Sequence, residues 1–290
     1  MTSPAPDPMA RQNRPRLILL VLLLLVVGAG LALWLIHEPQ GAPTNEPARV
    51  AVSDTHGQHP HRPHRVHPPV TRAASKATMA AVRAELHGAL RKQGIKPRAP
   101  IFIRIFKHSR TFEVFVKKGA RFQLFRTYRI CTFSGDLGPK LARGDFQAPE
   151  GFYRVTRRQL NPYSSYHLSF NVGYPNAYDR AHKRTGSAIM VHGDCVSAGC
   201  FAMTDRKIRE IFALAQDALR GGQRAFAVHI FPFRMTPDRA KKLTNRRWTA
   251  FWSELQPGFD AFERTGLPPA IRVRKGKYVV RVRGTPKRKS

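Results

Sequence analysis

Met190-Val-His-Gly-Asp-Cys-Val-Ser-Ala-Gly-Cys-Phe-Ala-Met-Thr-Asp205 places a histidine and a glycine-preceded cysteine a few residues apart, between a buried strand and a helix. The apolar run Ser187 to His192 reads as the strand. Gly193 permits a tight turn, and Gly199-Cys200 stand just before a helix that Thr204 or Asp205 can cap. Acyl transfer by a thiol needs a thiolate, a base within hydrogen-bond reach, and N–H groups aimed at the developing oxyanion. Cys200 fits the nucleophile better than Cys195, because Gly199 removes a Cβ where a carbonyl must approach. His192 is the matching base. Its protonated form and the cationic surroundings are expected to favour the thiolate. On residue types alone, a small buried cysteine and a satisfied core histidine would look the same.

Working outward, the helix beginning near Asp205 carries Ile208, Ile211, Phe212, Ala215, Ala218 and Leu219 at helical spacing and stops at Gly221-Gly222. Phe226 to Phe231 reads as a strand ended by Pro232, and 239–255 as an amphipathic helix with Trp248, Phe251 and Trp252. Upstream, Ala77 to Lys92 forms a short amphipathic helix closed by Gly94. Ile101 to Phe106 and Thr111 to Val116 form a hairpin about a polar turn, and Phe122 to Ile130 adds a third strand. A Gly-rich loop over 134–147 precedes a strand from Gly151 to Thr156. The expected fold class is α+β and β-rich, with helices flanking the sheet.

Fifty Lys and Arg against 18 Asp and Glu give a formal charge of +32, which points to polyanionic partners. Leu17 to Ile36 is uncharged and, at ~1.5 Å per residue, spans ~30 Å of hydrocarbon. Arg11, Arg14 and Arg16 precede it, so the N-terminus is expected in the cytoplasm and the remainder on the exported side. The expected order is a basic N-terminus over 1–16, a single transmembrane helix over 17–36 and a Pro- and His-rich linker over 37–76. A catalytic domain over 77–270 and a basic tail over 271–290 follow, with alternation before Gly284 suggesting a basic strand. No nucleic-acid-binding pattern appears, and export opposes that partner. The linker histidines lie between prolines that prevent a preformed metal cage, so no metal and no cofactor is expected. Of Cys131, Cys195 and Cys200, an odd number in an oxidising compartment leaves one thiol unpaired; a Cys131–Cys195 bond would leave Cys200.

Val191-His-Gly with Ser197-x-Gly-Cys200 resembles the signature of the YkuD-type L,D-transpeptidase family, and its YafK-like branch in particular. Similar stretches include Phe102 to Lys107, Leu124 to Tyr128, Phe133 to Lys140, Gly144 to Tyr153, Tyr174 to His182 and Val228 to Thr236. Ala198 and Ala202 stand where the broader family carries a histidine and an arginine. The resemblance implies a YkuD-like β-sandwich, and the 17–36 span with its preceding arginines places the chain, as an expectation, in the inner membrane with its catalytic domain in the periplasm. It also implies a reaction on peptidoglycan stem peptides at the L-centre of diaminopimelate, through a Cys200 thioester. Transfer to an amine and hydrolysis both fit, the latter releasing D-alanine or a wall-attached lipoprotein. The alternative is a noncatalytic peptidoglycan-binding protein. By mechanism, the N–H groups of Gly199 and Cys200 are candidate oxyanion donors and Gly193 O a candidate orienter of the imidazole. Ser197 shapes the elbow, and Tyr174, Asn176, Asp179 and Arg180 form a polar-aromatic loop cluster expected to bind substrate.

Overall fold

The computed structural model describes residues 72–242 and 247–282, all of them within one compact unit. In chain order these form α1 (Arg72–Lys92), β1 (Ile101–Phe106), β2 (Thr111–Lys118), β3 (Arg121–Arg129), β4 (Gly151–Thr156), β5 (Leu160–Ser164) and β6 (His167–Asn171). Then come α2 (Ala177–Ala181), β7 (Met190–His192), β8 (Phe201–Ala202), α3 (Asp205–Arg220), β9 (Ala225–Phe231) and α4 (Pro237–Lys242). The chain closes with α5 (Thr249–Thr265), β10 (Ala270–Arg274) and β11 (Lys277–Arg281).

A five-stranded sheet has the order β3-β2-β1-β9-β4, and only its β1–β9 pairing is parallel. Successive side chains on a strand face opposite ways. On β1, Ile101, Ile103 and Ile105 enter the main core together with Val228 and Ile230 of β9. The same core holds Leu86 and Leu90 of α1, the Ile208–Ile211–Phe212 stripe of α3, and Val191 and Phe201 of the second sheet. The other face of β1 presents Phe102, Arg104 and Phe106, which α5 covers through Phe259 and Phe262. Because both faces are covered, β1 is buried at every position. The second sheet, β5-β6-β7-β8, carries the candidate site, and its β7–β8 pair is parallel.

The α+β, β-rich reading holds, with helices flanking the sheets. Several boundaries differ, each for a local reason. Helix α1 starts at Arg72, inside the stretch read as linker. The strand expected from Ser187 is confined to Met190–His192, because Gly186 and Ala188 adopt φ of 110° and 56°. Neither Thr204 nor Asp205 caps α3 by side chain: Thr204 sits at φ 73° without a cap bond, and Asp205 Oδ1 accepts from Asp194 N at 2.9 Å. The single helix expected over 239–255 is α4 followed by α5, which runs through Pro257 and ends at left-handed Gly266. The expected basic strand is the β10–β11 hairpin, whose Ile271, Val273 and Tyr278 pack on the second core.

No helix among the described residues is long and apolar enough to cross a membrane. The proposed span over 17–36, the N-terminus before it, the linker up to 71 and the tail from 283 lie outside the described residues.

Candidate active site

Strand β7 delivers His192 at its last residue, and β8 begins immediately after Cys200. In the parallel register, Val191 faces Phe201 and His192 faces Ala202, and Met203 N donates to His192 O at 2.8 Å. His192 therefore ends one strand of this small sheet and Cys200 immediately precedes the strand paired with it. Cys131 and Cys195 form a disulfide with Cα atoms 5.5 Å apart, so Cys200 is the free thiol. This bond ties the segment between His192 and Cys200 to the end of β3, where Cys131 N also donates to Ala202 O at 2.9 Å.

His192 is buried, and its Nδ1 lies 2.6 Å from Gly193 O. A carbonyl oxygen only accepts, so Nδ1 carries the proton and Nε2 keeps its lone pair, the tautomer a general base requires. The Tyr166 ring lies over the imidazole at 4.8 Å. A Cβ on Gly193 would come within 2.6 Å of Asp205 Oδ1 and 2.7 Å of Tyr166 O, so no larger residue fits. Gly199 sits at φ 116°, a conformation that L side chains rarely adopt. Ser197 Oγ closes the elbow by donating to Cys200 O at 2.7 Å and accepting from Gly199 N at 3.2 Å. That occupies the Gly199 N–H, one of the two expected oxyanion donors, and leaves the Cys200 N–H as the candidate.

Burial pushes the Cys200 thiol above the ordinary cysteine value, against weaker opposing pulls from the Met190 N–H and the Lys140 charge. Burial likewise lowers His192, with Gly193 O and Asp194 opposing. Desolvation disfavours the charged form of each group and so works against a preformed thiolate–imidazolium pair. Cys200 Sγ accepts from Met190 N at 3.3 Å and donates to Ala188 O at 3.7 Å.

The Gly-rich 134–150 loop supplies the facing wall. Its Lys140 acts electrostatically on Cys200, and Gln147 O lies 3.4 Å from where a Gly199 Cβ would stand. The loop hangs on Lys107, which is fully buried and donates to Gly138 O at 2.8 Å and Ala148 O at 2.9 Å, with Glu150 Oε1 at 3.1 Å. Glu150 in turn accepts from Gly138 N at 2.6 Å and Trp252 Nε1 at 2.8 Å.

The expected substrate-binding cluster is engaged in holding the fold. Asp179 is buried, ion-paired to Arg184 at 2.8 Å, and accepts from Tyr153 OH at 3.0 Å. Asn176 caps α2, where its side chain accepts from Asp179 N and donates to Phe152 O and Tyr278 OH. Tyr174 OH is shared between Lys140 O and Thr185 O at 3.3 and 3.1 Å, bracing the loop beside Cys200 from behind. Arg180 is exposed and bonds Pro175 O. Sequence reasoning missed Lys140, Gln147 and Tyr166, which come to the site from distant segments, and Lys107, which holds the loop that carries the first two. Among the described residues, no three of His, Cys, Asp and Glu gather into a set that could hold a metal ion.

A free thiol beside β7 and an imidazole whose tautomer Gly193 O fixes are the two candidate groups of this site. The L,D-transpeptidase catalytic domain (YkuD) family matches residues 100–250, and the chain belongs to that family. The chain is 50% identical over 182 residues to the L,D-transpeptidase-type protein YafK of Escherichia coli (strain K12), covering 63% of this chain and 74% of that one. Among solved structures it is similar to the helical cell shape determining protein Pgp2 from Campylobacter jejuni. That match has a TM-score of 0.38 and 16% identity, and covers 68% of this chain and 80% of the other.

Proposed function

We propose that this chain is a peptidoglycan-modifying cysteine acyltransferase in which Cys200 is the nucleophile and His192 the general base. The observation that carries the reading is the free Cys200 beside β7, whose His192 has Nδ1 held by Gly193 O at 2.6 Å. The substrate is a stem peptide. Cys200 Sγ bonds to the carbonyl carbon on the L-centre of diaminopimelate, and His192 Nε2 takes the thiol proton. The tetrahedral oxyanion rests on the Cys200 N–H. Collapse breaks the C–N bond, His192 returns the proton to the leaving amine, and a thioester remains. The leaving amine is D-alanine or the side chain of a wall-attached lipoprotein; an amine acceptor then takes the acyl group from Cys200 to give a cross-link or attachment, whereas water cleaves the thioester to a free carboxylate and makes the net reaction a hydrolysis. The Leu17–Ile36 segment anchors the chain in the inner membrane, and the catalytic unit works in the periplasm.

The test is incubation of the full chain with purified muropeptides and with lipoprotein-linked sacculi, read by mass spectrometry beside Cys200→Ala. Cross-links, released D-alanine or released lipoprotein that vanish in the variant support the proposal and name the reaction. Folded protein with a free Cys200 thiol and no product on either substrate refutes it, and leaves the noncatalytic binding reading.

A further inference from the structure

The imidazole of His192 is held by one peptide unit, the one that joins Gly193 to Asp194. A trans peptide points its C=O and its N–H in opposite directions. Here the C=O end meets His192 Nδ1 at 2.6 Å, and the N–H end donates to Asp205 Oδ1 at 2.9 Å. Carboxylate, peptide and imidazole therefore form a single chain of hydrogen bonds. Asp205 Oδ1 also packs against the same turn, since a Cβ added to Gly193 would lie 2.6 Å from it.

Backbone strain gathers at this contact. Asp194 and Thr204 hold left-handed φ of 56° and 73°, though neither is glycine. Such conformations persist where the surroundings over-determine them, and they cluster at functional sites. Thr204 N donates to Asp194 O at 2.8 Å and Gly193 N to Tyr166 O at 3.0 Å, so the peptides on both sides of the Gly193–Asp194 unit are fixed as well. Asp205 is the first residue of α3, whose Ile208, Ile211 and Phe212 are buried in the main core, so a rigid element places its carboxylate. An acidic residue at that position also suits the helix dipole, but a carboxylate turned to solvent would serve the dipole as well. The neighbouring Asp194 is engaged differently: its Oδ1 accepts from Cys195 N at 2.6 Å, and its charge acts on His192 through space.

We infer that Asp205 is a positioning residue for the base: it polarises the Gly193–Asp194 peptide, whose carbonyl then holds the Nδ1 proton and steadies the imidazolium formed during acyl transfer. Hydrogen bonds in a chain strengthen one another, and a charged acceptor makes the strongest of them. The carboxylate thus does what it does when bonded directly to a catalytic imidazole, with a peptide interposed. The inference rests on His192 being the general base.

The test follows the His192 ring itself by nitrogen-15 NMR across pH, in the full chain carrying labelled histidine. Its signals are those lost in His192→Gln. Asp205→Asn keeps an oxygen acceptor and removes the charge, whereas Asp205→Ala removes both. Both variants are expected to lower the pH midpoint at which His192 protonates. In Asp205→Ala a fraction of the rings should also move the proton from Nδ1 to Nε2, and muropeptide turnover should fall about tenfold through kcat with KM little changed. Thermal unfolding checks both folds, and Asp205→Asn alone carries the test where Asp205→Ala does not fold. A His192 midpoint unchanged in folded Asp205→Asn overturns the inference even where turnover falls, because a merely structural residue lowers turnover without moving the imidazole. A parent chain that turns nothing over fails the proposed function instead, and the ring titration still decides whether Asp205 acts on His192.

Discussion

Replacing Lys107 by Met should damage the protein in two measurable ways. The ammonium has three N–H donors, and Gly138 O, Ala148 O and Glu150 Oε1 receive them at 2.8, 2.9 and 3.1 Å with neither side chain exposed to solvent. Burial pulls this lysine below its ordinary value, and the Glu150 charge opposes that pull. A methionine fills most of the volume but leaves the Glu150 carboxylate buried without its cation and two carbonyls without a donor. Breaking a buried pair by removing one partner costs about 3–5 kcal/mol, against ~1 kcal/mol for an exposed ion pair. For a unit of this size, that is a fall in unfolding temperature of roughly 10 °C.

The second consequence reaches the thiol. Gly138 and Ala148 bracket the loop that carries Lys140 and Gln147 to the Cys200 elbow, so loosening their carbonyls loosens that wall. At a temperature where the variant remains folded, its turnover of muropeptide should fall, and alkylation of Cys200 by iodoacetamide should change its pH dependence. Circular dichroism melts and product release by mass spectrometry read the two effects. An unfolding temperature within 2 °C of the parent, together with unaltered turnover, would refute the reasoning on both counts (the threshold is about 1 kcal/mol).

His229 should make the fold acid-sensitive: the unfolded chain protonates it below its reference value of 6.5 and the folded chain only near 3, so stability drops as pH falls through that window. The loss is about 2 kcal/mol at pH 5, and chemical denaturation of parent and His229→Phe should show the parent losing more between pH 6.5 and 5. Reducing the Cys131–Cys195 bond frees a 64-residue separation, for which chain entropy gives about 4 kcal/mol, read as a lowered denaturation midpoint in reductant; a shift below 1 kcal/mol would contradict that. Because His192 is lowered, the acid limb of kcat/KM should lie below the usual histidine range and disappear in no variant that keeps His192. Alkylation of Cys200 in His192→Ala should rise only above the ordinary cysteine range, and rapid alkylation at pH 7 would mean the thiol is activated by something else.

How much of this was legible in the sequence follows from how far apart the contributing residues lie. His192, Gly193, Ser197, Gly199 and Cys200 fall within one turn-forming segment, so local spacing already carried the elbow and the base. The facing wall did not show, because Lys107, Lys140 and Gln147 become meaningful only once the 134–150 loop folds back on the end of β1. Tyr166 was hidden between β5 and β6: Pro162 and the polar run around it suppress any strand pattern, and only pairing with β7 makes these strands. Asp179 and Arg180 read equally as a recognition loop or a clasp. The Asn176–Asp179 capping box and the Arg184 ion pair put Asp179 in a clasp, with Arg184 and not Arg180 as its cation, while Arg180 stays exposed. The C-terminal hairpin looked like a basic extension, since its cations alternate with Ile271, Val273 and Tyr278; what the alternation could not show was a second core waiting to receive the apolar face.

The desolvation of the site has a bearing on the compartment proposed above. In an oxidising space, the thiolate is the form that oxidises and exchanges with disulfides. Cys195 and Cys200 lie in the same short segment and would otherwise be natural partners for each other. The fold separates them by bonding Cys195 to Cys131, and partial burial raises the Cys200 thiol, which disfavours its thiolate. Its thiol donates to Ala188 O at 3.7 Å, which also favours the protonated form. Desolvation that would be a handicap for a preformed ion pair thus serves a thiol that must stay reduced between turnovers. The base needs no activation of its own, because Gly193 O has already fixed its tautomer.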